Sequence, residues 1–409
     1  MRLGGASIAD AVFVIVFLSW LAHRKEEIPW ANPVMRVFLV PLGVVIISLL
    51  GKTALAMPLS SDEIKNIAKM AALTLISLIG VSRAREEGVQ ALPLIRLMLT
   101  VLGISIVTIG LLGLFQYLRP ENFQSVFGSL FTIEDRDQVT NLERAEMMQR
   151  ISSVFPWANS LGIVLAMALV ILVMNRRLLP KLVLPAAVIA GVPALFLTNS
   201  RVSLLLFAIG FIYILIFEGR RRLLMWTVVA AVLVMIMVPF ESIVSRENMG
   251  RLEELADLVR YGELPGNVQV RLSTIDYLTS YIFATQYLYF GFPNQVYQNL
   301  VFIAWDNQYL GWLVRYGLVG IILVAWEIAL IVLPYRLIHR KFLDDPWRTL
   351  VHSVLIVNIM MFVAGFSQDT VFLNRWREFC FFFMPLVLTI AVERLPERAS
   401  AYASADAAQ

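Results

Sequence analysis

Charged residues are scarce in this sequence. Asp, Glu, Lys and Arg make up 16% of its 409 residues, and 59% are apolar, whereas soluble domains carry about a quarter charged residues. This composition excludes an ordinary soluble globular protein. The net charge of +4 does not indicate a nucleic-acid partner, because basic residues in a membrane protein mostly mark its cytoplasmic edge.

Cysteine is almost absent as well. Cys380 is the only one, so no intramolecular disulfide is possible and the fold does not depend on oxidation. Positive charge follows the first apolar segment rather than preceding it, which argues against a cleaved signal peptide.

The apolar residues come in blocks of about 20, the length of helix that crosses a hydrocarbon core of about 30 Å. The sequence therefore predicts an all-α polytopic integral membrane protein, one transmembrane domain over residues 1–409, with about eleven transmembrane helices. The predicted spans are 5–22, 35–57, 64–81, 96–118, 156–174, 182–198, 202–218, 223–240, 308–333, 350–367 and 379–393.

The short connections after the odd-numbered spans are dense in Lys and Arg, for example Arg83–Arg85 and Arg220–Arg222. By the positive-inside rule they lie in the cytoplasm. The N-terminus is then outside, and a small polar tail, 398–409, is a disordered cytoplasmic terminus. This topology also places all three histidines, His23, His339 and His352, at the cytoplasmic edge.

Two long polar segments fall on the outer face, 119–155 and 241–307. The second contains helical spacing of leucines within Glu241–Tyr261 and a Tyr-, Ile- and Leu-rich stretch, Leu272–Phe290, suited to the membrane surface. Loops of this length are functional or disordered, and this one is too apolar for disorder. We expect a large, partly helical outer loop.

The segment Leu182–Phe217 is apolar except for Thr198-Asn199-Ser200-Arg201 at its middle. It is too long for one span and predicts two helices joined by a tight outer turn. Arg201 has two interpretations there. Its paired donors suit a diphosphate, or it is a snorkelling residue at a helix start that Thr198, Asn199 and Ser200 cap.

Several short motifs follow one another between about 150 and 330. They are Gln149-Arg150-Ile151 with Phe155-Pro156-Trp157-Ala158-Asn159, Val270-Arg271-Leu272-Ser273-Thr274-Ile275-Asp276, Phe290-Gly291-Phe292-Pro293-Asn294, Trp305-Asp306-Asn307-Gln308-Tyr309-Leu310, and Arg315-Tyr316-Gly317-Leu318-Val319-Gly320. In order, spacing and outward placement this set resembles the O-antigen ligase and polymerase family of bacterial surface-polysaccharide assembly.

The resemblance implies a membrane glycosyltransferase of the C type in the bacterial inner membrane. Such an enzyme transfers glycan from an undecaprenyl-diphosphate carrier to an acceptor sugar hydroxyl on the periplasmic face, without cofactor, metal or nucleotide sugar. The partners that the resemblance implies are the carrier-linked oligosaccharide and membrane lipids, with flippase and chain-length regulator proteins as further candidates. Arg201 and Arg271 match the family's functional arginines, and Arg150 and Arg315 are candidates by position.

One departure from the family pattern favours a polymerase of O-antigen or exopolysaccharide type over a ligase. Ligases of this family have a histidine in the outer loop just before the Tyr-Leu helix, where this chain has Asp306 beside Asn307. Asp306 is either a base for the acceptor hydroxyl or the N-cap of the ninth span. A ligase that transfers glycan to a lipid acceptor remains the alternative polysaccharide enzyme.

Aromatic and charged residues near these motifs leave further alternatives open. Trp305, Tyr309 and Trp312 either stack on sugar rings or form the interfacial aromatic belt. Lys52 and Glu327 lie within predicted spans and are functional candidates by default, and the alternative is that they pair or snorkel. They are the feature that most favours a non-enzymatic transporter of lipid-linked oligosaccharide.

Overall fold

The protein is represented by a computed structural model that describes residues 2–3, 6–7, 29–57, 61–127, 151–153, 155, 158–218, 273, 276, 280, 285–293, 307–339, 343, 345–366 and 376–406. Two short strands, β1 (Arg2–Leu3) and β2 (Ala6–Ser7), pair antiparallel. The helices are α1 (Pro33–Ala54), α2 (Ser61–Glu87), α3 (Leu92–Leu118), α4 (Pro120–Phe127), α5 (Ala158–Met174), α6 (Val183–Leu197), α7 (Arg201–Glu218), α8 (Gln308–Tyr316), α9 (Ile321–His339), α10 (Trp347–Gly365) and α11 (Trp376–Asp406). Single 3-10 turns occupy Gly88–Ala91, Arg176–Leu178, Gln286–Leu288 and Gly317–Gly320.

Nine of the eleven predicted spans correspond to helices in the described part of the chain. Five helical stretches there are long and apolar enough to cross a membrane, and α5, α6 and most of α7 are shorter apolar helices. The prediction of a helical, polytopic membrane protein is confirmed to this extent. Predicted spans 5–22 and 223–240 lie outside the described residues, so the total of eleven stays a prediction.

The predicted span 308–333 is two helices rather than one. α8 ends at Tyr316, and Gly317 follows with a φ of 63° before a 3-10 turn leads into α9. A positive φ is accessible to glycine because it has no Cβ. The break therefore separates a short helix at the membrane edge from the membrane-crossing helix behind it.

The helices pack around α5, of which nearly every side chain is buried. Its neighbours are α3, α6, α7 and α10. Small residues allow the close crossings of this bundle, since a Cβ on Gly110 of α3 would lie 2.6 Å from the Ala190 carbonyl oxygen of α6. Close backbone approach of this kind is how helices associate in lipid, where apolar burial alone gives little driving force.

Contacts between antiparallel helices define the two ends of the bundle. Near one end, which we call the basic end, Tyr213 of α7 bonds His352 in the second turn of α10. Near the other, which we call the site end, the ring of Phe366 after α10 lies 4.8 Å from that of Tyr309 in α8. The turn between α6 and α7 is also at the site end, because α7 runs from it back toward His352.

Helix α11 continues beyond the predicted span 379–393 to Asp406. The backbone of 398–406 is thus helical where the sequence predicts a disordered tail. Alanine alternates with other residues from Ala399 to Ala405, and alanine has the highest intrinsic helix propensity. The prediction rested on polarity and overlooked this preference.

Candidate functional site

The turn between α6 and α7 is built from small polar residues, of which Thr198 and Ser200 are buried. Thr198 is wholly inaccessible, and its hydroxyl donates to the Leu195 carbonyl oxygen at 2.7 Å. Asn199 adopts a φ of 48°, a left-handed conformation that asparagine tolerates better than most residues. The hydroxyl of Ser203 donates to that of Ser200 at 2.7 Å. The predicted tight turn between two helices is confirmed.

Arg201 begins α7 and is exposed. Within the described part of the chain it forms no ion pair. The turn beneath it is held by its own hydroxyl bonds and by close contact with Gly162, where a Cβ would lie 2.8 Å from the Thr198 hydroxyl. The structure therefore presents a guanidinium at a helix N-terminus, where the backbone dipole also favours an anion.

A second segment is anchored beside this turn. The backbone N–H of Ile151 donates to the Leu197 carbonyl oxygen at 3.2 Å. The side-chain oxygen of Gln116, near the end of α3, accepts from the N–H groups of Ser152 at 3.0 Å and Ser153 at 2.7 Å. Gln116 thus holds residues 151–153 against the α6–α7 turn, directly after the candidate Arg150, which itself lies outside the described residues.

The sequence does not single out Gln116, because one glutamine near the end of an apolar helix has no distinguishing pattern. In the structure it is 5% exposed, and its oxygen accepts two backbone hydrogen bonds. The one signal that the sequence offered is a polar residue within a predicted membrane span.

The N-terminus of α8 is capped by Asn307, not by Asp306. The Asn307 side-chain oxygen accepts from the N–H groups of Tyr309 at 3.0 Å and Leu310 at 3.1 Å. The cap alternative for Asp306 is therefore wrong, because the next residue occupies that position. Asp306 itself lies outside the described residues, as do Arg271 and Trp305.

Glu327 of α9 is buried and holds the first turn of α8 in place. Its carboxylate accepts from the Gln308 amide nitrogen at 2.6 Å, and its second oxygen lies 2.9 Å from the Tyr309 hydroxyl. That hydroxyl also lies 2.6 Å from the Phe362 carbonyl oxygen in α10. Three helices thus meet at one buried carboxyl group directly behind the N-terminus of α8.

The aromatic side chains of α8 pack against protein rather than standing free. Trp312 is 2% exposed, so its predicted stacking on a sugar ring is wrong. The Tyr309 ring is partly buried and lies 5.6 Å from the Trp312 ring and 4.8 Å from that of Phe366. Its position indicates a packing role at the base of the site.

The end of the large outer loop docks on the C-terminal end of α8. The Phe292 N–H donates to the Val314 carbonyl oxygen at 2.9 Å, and the Ser48 hydroxyl of α1 donates to the Phe290 carbonyl oxygen at 2.8 Å. Gly291 has a φ of 81°, and a Cβ there would clash with the Arg315 backbone. The Phe-Gly-Phe motif therefore needs its glycine to let two backbones touch.

Lys52 and Glu327 have different partners, so the two charged residues inside predicted spans are not each other's counterions. The Lys52 ammonium lies 2.9 Å from a Glu63 carboxylate oxygen and 3.0 Å from the Arg315 carbonyl oxygen. It is 3% exposed. Lys52 thereby joins α1, α2 and the end of α8, and fixes the break before α9.

The C-terminal end of α10 is at the same end of the bundle as Arg201 and α8. α10 packs on α7, where a Cβ on Gly210 would lie 3.3 Å from the Met360 sulfur, and its last turn and Phe366 contact Tyr309. Arg201, Asn307, Tyr309 and the Arg315 turn are therefore all at the site end of the bundle. The described histidines, His339 and His352, are at the basic end.

Part of the chain that includes the Arg201 turn and α8 is similar to a known protein family. Residues 186–325 match the family model described as O-antigen ligase. The resemblance found in the sequence is confirmed by this match, and it indicates a membrane enzyme of the O-antigen ligase or polymerase type that acts on lipid-linked oligosaccharide. Comparison with curated proteins gives no match to the chain.

The matched region begins within α6 and ends within α9. It therefore includes the Arg201 turn, the docked loop end and the whole of α8. Lys52 precedes it in the sequence, yet its ammonium donates to the Arg315 carbonyl oxygen within it. Within the part of the chain that the structure describes, no group of three or more His, Cys, Asp or Glu side chains is arranged to hold a metal ion.

Proposed function

We propose that this protein is a polysaccharide polymerase that joins carrier-linked oligosaccharide repeats on the periplasmic face of the bacterial inner membrane. Two observations support the proposal. Residues 186–325 match the O-antigen ligase family model, and Arg201 stands exposed at the N-terminus of α7, at the same end of the bundle as the α8 N-terminus.

The reaction is a glycosyl transfer from a polyprenyl diphosphate. The bond between the donor sugar's anomeric carbon and the diphosphate oxygen breaks, and an acceptor hydroxyl oxygen forms a new bond to that carbon. Arg201 and Arg271 stabilise the negative charge that collects on the leaving diphosphate. The proton of the acceptor hydroxyl passes to Asp306.

The position of α8 supports a role for Asp306 in this scheme. Because Asn307 already satisfies the first N–H groups of α8, the preceding carboxylate is not needed as a cap. Glu327, Gln308 and the Phe362 carbonyl hold the first turn of the helix from behind. A rigid helix start is what a general base needs, since its distance to the substrate hydroxyl must be held within a few tenths of an ångström.

The absence of an imidazole from the described part of the site end supports a polymerase over a ligase. His339 is in the last turn of α9 and His352 in the second turn of α10, both at the basic end. An acceptor that is another carrier-linked repeat also places two diphosphates near the site, which suits several arginines at one end of the bundle.

The decisive experiment replaces Arg201 by alanine in cells that lack the chromosomal copy. We expect at least a ~100-fold loss of polymer, the effect of removing one charge-stabilising donor, with single carrier-linked repeats accumulating. The matched control is Arg96→Ala. Arg96 is also exposed and near the start of an apolar helix, α3, but lies at the basic end, so it should leave polymer unchanged.

The products distinguish the alternatives. Loss of a ligase would leave long polymer on the carrier, and loss of a transporter would leave repeats on the cytoplasmic side. Normal polymer from Arg201→Ala at wild-type expression would remove the proposed diphosphate site.

A further inference from the structure

A cavity of about 630 Å³ opens at the basic end, away from the O-antigen ligase site. It lies between the C-terminal end of α5, the turn Arg176–Leu178, the end of α7 and the beginning of α10. None of the residues to which the proposed polymerase reaction assigns a role lines it. Its lining instead combines positive charge, an apolar wall and one buried amide.

The charged part of the lining is basic. Among the described residues that line the cavity, the arginines Arg176, Arg177 and Arg348 outnumber the one carboxylate, Asp345. Arg177 pairs with Asp345 at 3.2 Å, so the aspartate is already neutralised. The N-terminus of α10, a 19-residue helix without a side-chain cap, opens beside them and adds its dipole to the field. An anion is the ligand this part suits.

The opposite wall is apolar and reaches the outer surface of the bundle. Met174 and Phe217 line the cavity, and Phe217 is 49% exposed beside Ile216, which is 70% exposed. On a membrane-spanning helix such exposed side chains face acyl chains. The cavity therefore joins an anion site to a lipid-facing surface, an arrangement that fits an amphiphile better than a free ion.

Asn175 supplies an independent sign of a ligand. It is 2% exposed and lines the cavity, and its amide nitrogen donates to the Ile171 carbonyl oxygen and the Ser353 hydroxyl. Its amide oxygen is buried with no hydrogen-bond partner among the described residues. Buried acceptors are nearly always satisfied, so a ligand that brings a donor, such as a hydroxyl group, fits here.

We propose that this cavity binds the headgroup of an anionic phospholipid that carries a hydroxyl group, of the phosphatidylglycerol type. The phosphodiester lies among Arg176, Arg177 and Arg348. A glycerol hydroxyl donates to the Asn175 amide oxygen, and the acyl chains follow the surface of Phe217 and Ile216. Basic pockets between transmembrane helices are typical sites for anionic headgroups.

The test uses the full-length protein purified in neutral detergent and titrated with short-chain phosphatidylglycerol or phosphatidylcholine, with bound lipid counted by native mass spectrometry. We expect phosphatidylglycerol to bind at least about fivefold more tightly. Arg348→Gln should weaken its binding about fivefold, since one arginine near a membrane surface contributes about that factor. Asp345→Asn should tighten binding by a similar factor, because it removes the one negative charge.

The control is Arg336→Gln. Arg336 is exposed at the end of α9 and does not line the cavity, so this change should leave binding within experimental error. Equal affinity for the two lipids, an equal loss in Arg336→Gln, or no gain in Asp345→Asn would each overturn the proposal. Displacement of the lipid by millimolar inorganic phosphate would instead assign the cavity to a free anion and overturn the lipid assignment.

Discussion

The two ends of the helix bundle differ in how far their paired charges are exposed. At the site end, where Arg201 is exposed, Lys52 and Glu327 are buried and hydrogen-bonded. The ion pair of Lys52 with Glu63 is 4% and 11% exposed, and Glu327 is 3% exposed. At the basic end, the Arg177–Asp345 pair is 68% and 61% exposed and the Arg85–Glu393 pair 41% on both sides.

The difference affects stability. Exposed ion pairs contribute little to stability because water and salt screen them, so the pairs at the basic end add little to the stability of the bundle. A buried charge is costly unless it is paired. At the site end the buried charges are paired or hydrogen-bonded, and their contacts hold several helix ends and a docked loop at fixed positions around Arg201 and α8.

The largest expected effect tests the buried pair. Lys52→Met removes the buried ammonium that pairs with the Glu63 carboxylate and donates to the Arg315 carbonyl oxygen, which should destabilise the protein by about 3–5 kcal/mol. The measurement is the midpoint of thermal unfolding in detergent. Lys52→Met combined with Glu63→Leu should recover part of the loss, because it removes both charges of the pair. A single variant as stable as the wild type would mean that Lys52 is solvated.

A smaller effect is expected at Gln116. Gln116→Leu removes the acceptor for the Ser152 and Ser153 N–H groups, and each buried unsatisfied group costs about 1–3 kcal/mol. Polymer formation should also fall, since Arg150 precedes the segment that Gln116 holds. Gln116→Glu keeps an acceptor and is the matched variant. If Gln116→Glu loses as much polymer formation as Gln116→Leu, then the hydrogen bonds to residues 152 and 153 do not account for the loss.

The cap of α8 is expected to contribute less. Asn307→Ala should lower stability by about 1 kcal/mol, the usual cost of losing an N-cap, and Asn307→Ser should restore most of it. Asp306→Asn should do the reverse, with polymer lost and the unfolding midpoint unchanged. Parallel stability and polymer assays on these variants separate the cap from the base. A stability loss in Asp306→Asn equal to that in Asn307→Ala would contradict this division.

The smallest effect is expected at the basic end. Arg85→Ala breaks an exposed pair with Glu393, and we expect a change of at most about 1 kcal/mol that shrinks further as salt is added. Thermal unfolding in lipid-free detergent at low and high ionic strength measures it. A loss as large as that of Lys52→Met would remove the contrast between the two ends.

The sequence predicts the helices better than their ends. The spans over α1, α3, α5, α6 and α7 follow from apolar blocks of membrane-crossing length, and each agrees with the structure within a few residues. The division at Gly317 was missed because α8 and α9 are both apolar on average. The Gly291 backbone and the Lys52 ammonium both contact Arg315 at the break, and each of these contacts joins residues far apart in the sequence.

The candidate site shows the same limit. Arg201 was predicted because it interrupts an apolar stretch, a local signal. That Asn307 rather than Asp306 caps α8 was not predictable, since both are good capping residues and adjacent. The choice depends on where the helix begins, and Gln308 and Tyr309 determine that start by bonding to Glu327 and Phe362 in two other helices.

By itself, the amino-acid sequence determined the membrane environment, the all-α fold class and the resemblance to the O-antigen ligase family. Hydropathy and short motifs are properties of residues that are neighbours in the sequence. The tertiary structure alone decided which buried polar groups meet. Lys52 pairs with Glu63 and donates to the Arg315 carbonyl oxygen. Glu327 accepts a hydrogen bond from the first turn of α8, and Gln116 accepts from the backbone of residues 152 and 153. In the apolar interior of a helix bundle each of these buried polar groups needs a partner, and which partner is nearest depends on how the helices cross.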